Sequence, residues 1–536
     1  MIYQQQNTVF EWTLCARNAC QDPFNDLTLD ALVSGPDGQE QVIPAFWAGD
    51  NLWKVRFASP QTGEYHLHTV CSDATDQGLH GQEMALTLIP YQGDNPLYQH
   101  GPVQVAPNGR HLIHADGTPF FWLADTWWMS LTKRLAWPQD FQTLANDRIE
   151  KGFSVIQVIA GLYPDMPAFD ERGANEVGFP WKDDYSSINP AYFNMADRRI
   201  QYLVEMGLLP CIVACWGYFL PLMGLEKMKQ HWRYLIARYG AYPVTWCLCG
   251  EWDMPYYLAE DKEKATKEQQ EGWAEIARYV RQVDGFKRPL SAHEGSPARQ
   301  LGDGTLVDFF MMQTGHGDRE SLPNTVQRVT SEYAQTPVRP IINSEVCYEG
   351  IGEACRQEVQ RLMFWTCMLS GAAGHTYGAN GIWQVNTRTA PFGPSPHGMA
   401  WGNTPWEDAY QLPGSAQVAL GKRILERYPW SEFTPHPEWV DPHWTEAHYF
   451  GGYAAGIPGK LRVIYFPGSW FFAGKVTGIE PGVAYRAMLI NPVNGDEMDL
   501  GAVVPDEHGV YTLPLDKGMG VVMPIFQDWV LVLDAR

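Results

Sequence analysis

Positive charge is scarce in this chain of 536 residues: 39 Lys and Arg stand against 61 Asp and Glu, a formal charge of −22. So acidic a chain repels phosphate backbones and anionic bilayers, so neither nucleic acid nor a membrane surface is an expected partner. No run of about 18 apolar residues occurs, and no transmembrane helix is expected. The opening residues, MIYQQQNTVFEWTL, lack the basic segment and apolar core of a secretory signal. Cys-x-x-Cys and His-x-x-x-His spacings are missing, so no metal or other cofactor is expected. The ten cysteines, Cys15, Cys20, Cys71, Cys211, Cys215, Cys247, Cys249, Cys347, Cys355 and Cys367, are scattered and mostly set in apolar runs. Without an export signal they read as reduced core thiols, and the protein as cytoplasmic. No Gly-x-Gly-x-x-Gly turn follows the first parallel strand, which argues against a dinucleotide-binding sheet. No strand candidate of the central region ends in Lys, which discounts a Schiff-base barrel.

Aromatics are abundant. With 22 Trp, 25 Tyr and 23 Phe, the chain has ample surface to bury and is not expected to be disordered. Residues 1–95 show short β-rich runs at 9–14, 27–33, 52–57 and 65–70, separated by turn clusters. That spacing predicts an immunoglobulin-like β-sandwich. From 96 to 430 strands alternate with helical stretches such as 138–151, 225–239, 264–283 and 353–369. Eight strand candidates, at 120–125, 153–160, 209–216, 244–251, 289–293, 307–314, 339–345 and 374–377, predict a (β/α)8 TIM barrel. A hairpin over 103–113 is expected to close its floor. Residues 431–536 lose the helical pattern, and runs at 461–466, 469–476, 485–490, 509–514 and 529–533 predict a second β-sandwich. The fold class is therefore α/β, a central barrel flanked by two sandwiches.

Side chains alternate faces along a strand. In Thr245-Trp-Cys-Leu-Cys-Gly-Glu251, Cys247, Cys249 and Glu251 share a face, and small thiols suit a crowded lumen. Glu251 then reaches the C-terminal mouth. Glu345 ends the seventh strand, sharing its face with Asn343. Barrel enzymes do their chemistry at that rim. Two carboxylates there are what glycoside hydrolysis needs, one to protonate the leaving oxygen and one to attack the anomeric carbon. Trp246, Trp252 and Tyr256 are candidates for the apolar wall that would raise the acid's pKa. Asp253 and Glu349 are nearby rivals for the two roles.

The segments Asp116-Gly-Thr-Pro-Phe-Phe-Trp-Leu-Ala-Asp-Thr-Trp-Trp128, Lys151-Gly-Phe-Ser-Val-Ile-Gln157 and Asn189-Pro-Ala-Tyr-Phe193 resemble the apiosidase-like glycoside hydrolases, family 140 and its relatives in clan A. So do Met312-Gln-Thr-Gly-His316, Asn343-Ser-Glu-Val-Cys-Tyr-Glu349 and Gly374-His-Thr-Tyr-Gly378. The resemblance spans the barrel. It implies a retaining mechanism with the acid/base after the fourth strand and the nucleophile after the seventh, hence Glu251 and Glu345. It also implies an N-terminal immunoglobulin-like domain and a C-terminal domain of the kind labelled collagen-binding, a label that implies no collagen substrate. The chain departs from the pattern at one place. Clan A commonly has Asn-Glu at the acid/base and apiosidase relatives often Asp, whereas this chain has Gly250-Glu251.

Asp125 ends the first strand, where an inward side chain could hydrogen-bond a sugar hydroxyl, with Trp127 and Trp128 in the turn after it, and Trp216 ends the third. His293 ends the fifth, Gln313 and His316 the sixth, and His375 and Tyr377 the eighth. All nine are candidates to hold a sugar or orient the nucleophile, although capping and core packing compete for each. The long connection 161–189 is expected to wall the cleft with Tyr163, Phe169, Trp181 and Tyr185. The expectation is a retaining, exo-acting hydrolase of short imported oligosaccharides or glycosides, working by double displacement. A non-catalytic carbohydrate-binding barrel is the alternative. The sequence leaves the oligomeric state open.

Overall fold

Eight parallel strands form one sheet in the computed structural model, which describes residues 2–295, 297–468, 474–515 and 523–535. They are Trp122–Thr126, Val155–Ile159, Leu209–Val213, Thr245–Cys247, Leu290–Ser291, Phe310–Gln313, Ile341–Glu345 and Gly374–Tyr377. Neighbours in sequence are neighbours in the sheet, and the eighth strand pairs with the first. The fifth and sixth meet through a single bridge, His293 to Met311, beside a 2.8 Å bond from the Leu290 N–H to the Asp308 carboxylate. That closes the barrel. The fourth and fifth strands are shorter than the sequence predicts: past Cys247 and Ser291 the pairing continues only as isolated bridges, Trp216 to Gly250 and His293 to Met311.

Helices follow seven of the eight strands among the described residues. In Gln139–Lys151 the buried Phe141, Leu144, Ala145 and Arg148 recur at helical spacing, and the helix stops at Gly152, where φ is 94°. Pro190–Glu205 starts on Asn189, whose side chain accepts the Ala191 N–H at 3.2 Å, with Pro in the first turn. After the fifth strand there is no helix, but the short turn Ala298–Gln300, its first N–H bonded to the Glu294 carboxylate at 2.8 Å.

A five-stranded sheet and a three-stranded sheet form the N-terminal sandwich. In Gly63–Cys71 alternate residues are buried, the period-two signature of a strand with one face on a core. Arg56 ties this domain to the barrel through Asp197 at 2.6 Å and the Arg238 carbonyl at 2.8 Å. The expected hairpin near 103–113 is part of a three-stranded antiparallel sheet, Val103–Val105, Leu112–His114 and Pro119–Phe120, leading into the first barrel strand. The C-terminal domain has a six-stranded antiparallel sheet and a two-stranded one. It is anchored to the barrel by Arg361 and Asp528, 2.7 Å apart. Of the strand expected at 469–476, residues 469–473 lie outside the described residues, and Lys475–Val476 is paired. Residues 509–514 contribute one bridge, Tyr511 to Val476. All ten cysteines are free thiols. No helix among the described residues is long and apolar enough to cross a membrane.

Candidate active site

A cavity of about 240 Å³ opens at the C-terminal mouth of the barrel. Trp128, Trp216, Glu251, Gln313, His316 and Glu345, expected from the sequence, all line it. Tyr348 and Ile351 after the seventh strand join them, with Met254 and Tyr257 after the fourth. Longer loops add Pro164 and Asp165 after the second strand and Trp383, His397 and Trp401 after the eighth.

Alternation holds through the paired part of the fourth strand. Trp246 faces outward, its ring 5.7 Å from Trp232 and its Nε1–H on Asp284 at 2.9 Å, which leaves Cys247 to the lumen side. Gly250 is required by packing, because a Cβ there would lie 2.1 Å from the Trp216 ring. That contact accounts for Gly in place of the more usual Asn. Glu251 itself has φ of 41°, a left-handed backbone that non-glycine residues rarely hold. Trp216 Nε1–H donates to Glu251 Oε2 at 3.1 Å.

Glu345 arrives differently. Asn343 does not share its face, since the Asn343 amide reaches Cys367 Sγ, on the helix outside the barrel, at 3.3 Å. The register then shifts, with Met312 opposite Asn343 but Gln313 opposite Glu345. The irregularity turns Glu345 into the mouth. His316 Nε2 lies 2.9 Å from Glu345 Oε1, and Gln313 Nε2–H donates to the same oxygen at 3.3 Å. His293 Nε2 is 3.0 Å from Oε2, close enough for an ion pair but out of hydrogen-bond alignment. Trp128 is 5.6 Å from the His293 ring and donates to Tyr348 Oη at 3.1 Å, so Trp128 holds two of the residues around Glu345.

These surroundings drive the two carboxyls apart. Burial, and then the charge of Glu345, push Glu251 up to about 7, against the opposing pull of His293 and the nearby Gln313 amide. Burial also works against ionising Glu345, but His293 and His316 overcome it and hold that carboxyl down to about 2. The reciprocal effect of Glu345 raises His316 despite its burial. Near neutral pH one glutamate can therefore carry a proton while the other is an anion, the division of labour that paired-carboxylate chemistry requires.

The catalytic-domain profile of the apiosidase-like family matches residues 106–432, well over half of the chain. The chain belongs to the apiosidase-like family. It is a glycoside hydrolase with the barrel fold of clan A. A domain of unknown function, DUF5060, matches residues 4–72, within the N-terminal sandwich. A solved structure named a glycoside hydrolase is 22% identical, with a TM-score of 0.67 over 83% of this chain and 98% of its own. A family 5 glycoside hydrolase from Bacteroides vulgatus ATCC 8482 is also 22% identical, with a TM-score of 0.66 over 83% of this chain and 95% of its own. A candidate glycoside hydrolase from the same organism covers 100% of both chains at 15% identity, with a TM-score of 0.74. At these identities the likeness is one of fold. No curated protein matches the chain.

Several expected site residues of this apiosidase-like enzyme lie elsewhere. Asp125 is fully buried behind the first strand, 2.5 Å from Arg148 on the adjoining helix and 2.7 Å from the Trp127 indole nitrogen. The face expected inward there points outward, and Trp122 and Thr126 take the lumen side, bonded to Thr376 and Gln157. Trp127 therefore packs on Phe141 rather than on a sugar. On the eighth strand Thr376 faces inward. His375 packs against Phe364, and Tyr377 Oη–H donates to Glu349 at 2.6 Å. That bond, with the Gly414 N–H at 3.1 Å, fixes Glu349 away from the cavity. Asp253 also lies outside the lining. Trp246, Trp252 and Tyr256 are not the wall around Glu251, which is made by Trp128, Trp216, Met254 and Tyr257. Tyr163, Phe169, Trp181 and Tyr185 pack beneath the long loop while Pro164 and Asp165 face the cavity. No cluster of three or more His, Cys, Asp or Glu among the described residues is arranged to hold a metal ion.

Proposed function

We propose that this enzyme cleaves glycosides with retention of configuration, Glu345 as nucleophile and Glu251 as acid/base. The observation that carries the reading is two glutamates lining one cavity at the barrel mouth, Glu345 held by His316 and Gln313 and Glu251 by Trp216, in surroundings that push their protonation in opposite directions. Double displacement requires the two carboxyls roughly 5–5.5 Å apart, against the roughly 6.5–9.5 Å that admits an inverting water. In the first step Glu251 gives its proton to the leaving oxygen as a Glu345 oxygen bonds to the anomeric carbon. In the second, the Glu251 carboxylate takes a proton from water, whose oxygen displaces Glu345. Trp128, Trp216 and His293 supply the stacking surface and orientation around the pair.

The cavity supports exo-action. At about 240 Å³ it falls below the roughly 300–1,000 Å³ of drug-sized sites, room for a terminal sugar and not for a run of them. A short soluble oligosaccharide or glycoside suits that shape. Ten unbridged cysteines favour a reducing compartment, hence a cytoplasmic enzyme acting on imported substrate. The test is the stereochemistry of the first product, followed by proton NMR on an aryl glycoside before mutarotation. Retention is expected. An inverted product would remove Glu345 as nucleophile, and no turnover of any glycoside would leave a binding barrel in its place.

A further inference from the structure

The cavity carries a third carboxylate that the reaction above does not use. Asp165 sits in the loop after the second strand with φ of 57°. That left-handed backbone costs an L-residue energy, though Asp and Asn less than most. The fold holds Asp165 there from outside its own loop. Its N–H donates to Tyr257 Oη at 3.1 Å, and the Tyr257 hydroxyl donates back to Asp165 Oδ1 at 3.1 Å. Tyr257 in turn stacks on His397, centroids 4.7 Å apart, so loops after the second, fourth and eighth strands together fix one carboxylate. Oδ2 receives no hydrogen bond from a described residue. The placement is electrostatically unfavourable. Burial and the charge of Glu345 raise the Asp165 carboxyl, and Asp165 is one of the charges that raise Glu251. No Lys or Arg lines the cavity, whose basic groups are His316, bound to Glu345, and His397, stacked on Tyr257. Oδ2 is therefore open to a donor that a ligand brings into the cavity.

We propose that Asp165 is a specificity residue of this pocket: its Oδ2 accepts a hydrogen bond from one hydroxyl of the terminal sugar, and the pocket takes uncharged sugars while rejecting uronic acids. A uronic carboxylate would meet the Asp165 and Glu345 carboxylates and no Lys or Arg of the lining, and like-charge contacts of this kind discriminate strongly. The inference rests on the hydrolase reading and names the class of sugar for the same site.

The test uses 4-nitrophenyl glycosides of neutral pentoses and hexoses, as pyranosides and furanosides, with the corresponding uronides. Monodeoxy analogues of the best substrate complete the set. Wild type should favour a neutral glycoside over any uronide by at least about 100-fold in kcat/KM. Asp165→Ala should lower kcat/KM on that glycoside roughly 10- to 100-fold, the range for a hydrogen bond to a charged group. On the one monodeoxy analogue that lacks the partner hydroxyl, the loss should shrink to about threefold or less. Asp165→Asn, which tolerates the left-handed backbone, should show the same selective loss and guards against misfolding of the Ala variant. Equal losses on every analogue would mean a structural role, and a preferred uronide or two variants of wild-type rate would mean no contact. Each of these overturns the proposal. If wild type turns over no probe, the hydrolase reading fails by itself. Calorimetry of Glu345→Gln with the matching methyl glycosides then decides: neutral sugars must bind, and Asp165→Ala must abolish that binding. Absence of binding overturns the proposal.

Discussion

Glu345→Gln keeps the shape of the nucleophile and removes its charge, so it separates the causes that raise Glu251. Taking that carboxyl from 4.5 to about 7 corresponds to about 3 kcal/mol. Burial is the larger cause, and the Glu345 charge comes second. A like charge at the roughly 5.5 Å of a retaining pair, in surroundings of effective dielectric about 40, contributes about 1.5 kcal/mol. The variant should therefore titrate Glu251 about one pH unit lower. The assay is a carbon-13 NMR titration of carboxyl-labelled glutamate, with Glu251→Gln giving the assignment. In the wild type, Glu251 must be protonated to donate, so kcat/KM should fall as pH rises through about 7. Glu251 titrating at the same pH in both proteins would show that the two carboxyls are not neighbours in the electrostatic sense. Glu251 titrating at an ordinary carboxyl value in the wild type would remove the basis for calling it the acid.

Glu345→Ala should lower kcat by at least about 10⁴-fold on every substrate, read by single-turnover kinetics. Glu251→Ala should spare dinitrophenyl glycosides, whose leaving group needs no proton, and azide should restore its rate and yield a glycosyl azide of retained configuration. Activity lost equally on good and poor leaving groups would contradict that role. His316→Ala removes one of the groups holding Glu345 down, so the acid limb of the kcat/KM profile should move to higher pH, by about one pH unit. An unmoved acid limb would detach His316 from the nucleophile. Arg148→Met leaves Asp125 buried without its cation and should cost about 3–5 kcal/mol of stability in urea unfolding. Wild-type stability would refute the structural role given to that pair.

The barrel was legible because strand and helix alternate with their own periods, and because Gly and Asn-Pro mark helix ends at Gly152 and Asn189. Alternation reads correctly as far as Cys247, opposite in face to Trp246, but the strand ends there, and Glu251 reaches the mouth from a left-handed backbone that parity does not describe. Asp125, His375 and Tyr377 could not be placed by alternation. Both faces of a barrel strand are buried, one against the lumen and one against helices, so hydrophobicity carries no sign of which is which. A strand-end Asp bonded to a helix Arg then looks like a strand-end Asp facing sugar. Arg148, a cation at a buried helical position, was the available signal, since so buried a charge needs a partner.

Glu345 shows the converse. Shared alternation with Asn343 put it at the mouth for a reason that does not hold, because Asn343 faces the outer helices and a register shift brings Glu345 inward. Irregularities of this kind recur beside active sites, where they aim one side chain against the rule followed by its strand. The same logic covers the left-handed Glu251 and Asp165. Each of the three carboxylates in the cavity stands where the backbone departs from its regular form, and each departure is held by contacts from another loop or strand: the Gln313 register for Glu345, Trp216 over Gly250 for Glu251, and Tyr257 for Asp165. Regular structure is what a sequence pattern encodes. A site assembled from departures supported over long sequence separations is therefore the part that pattern alone leaves undetermined, and backbone strain that the fold maintains around one cavity points to function there.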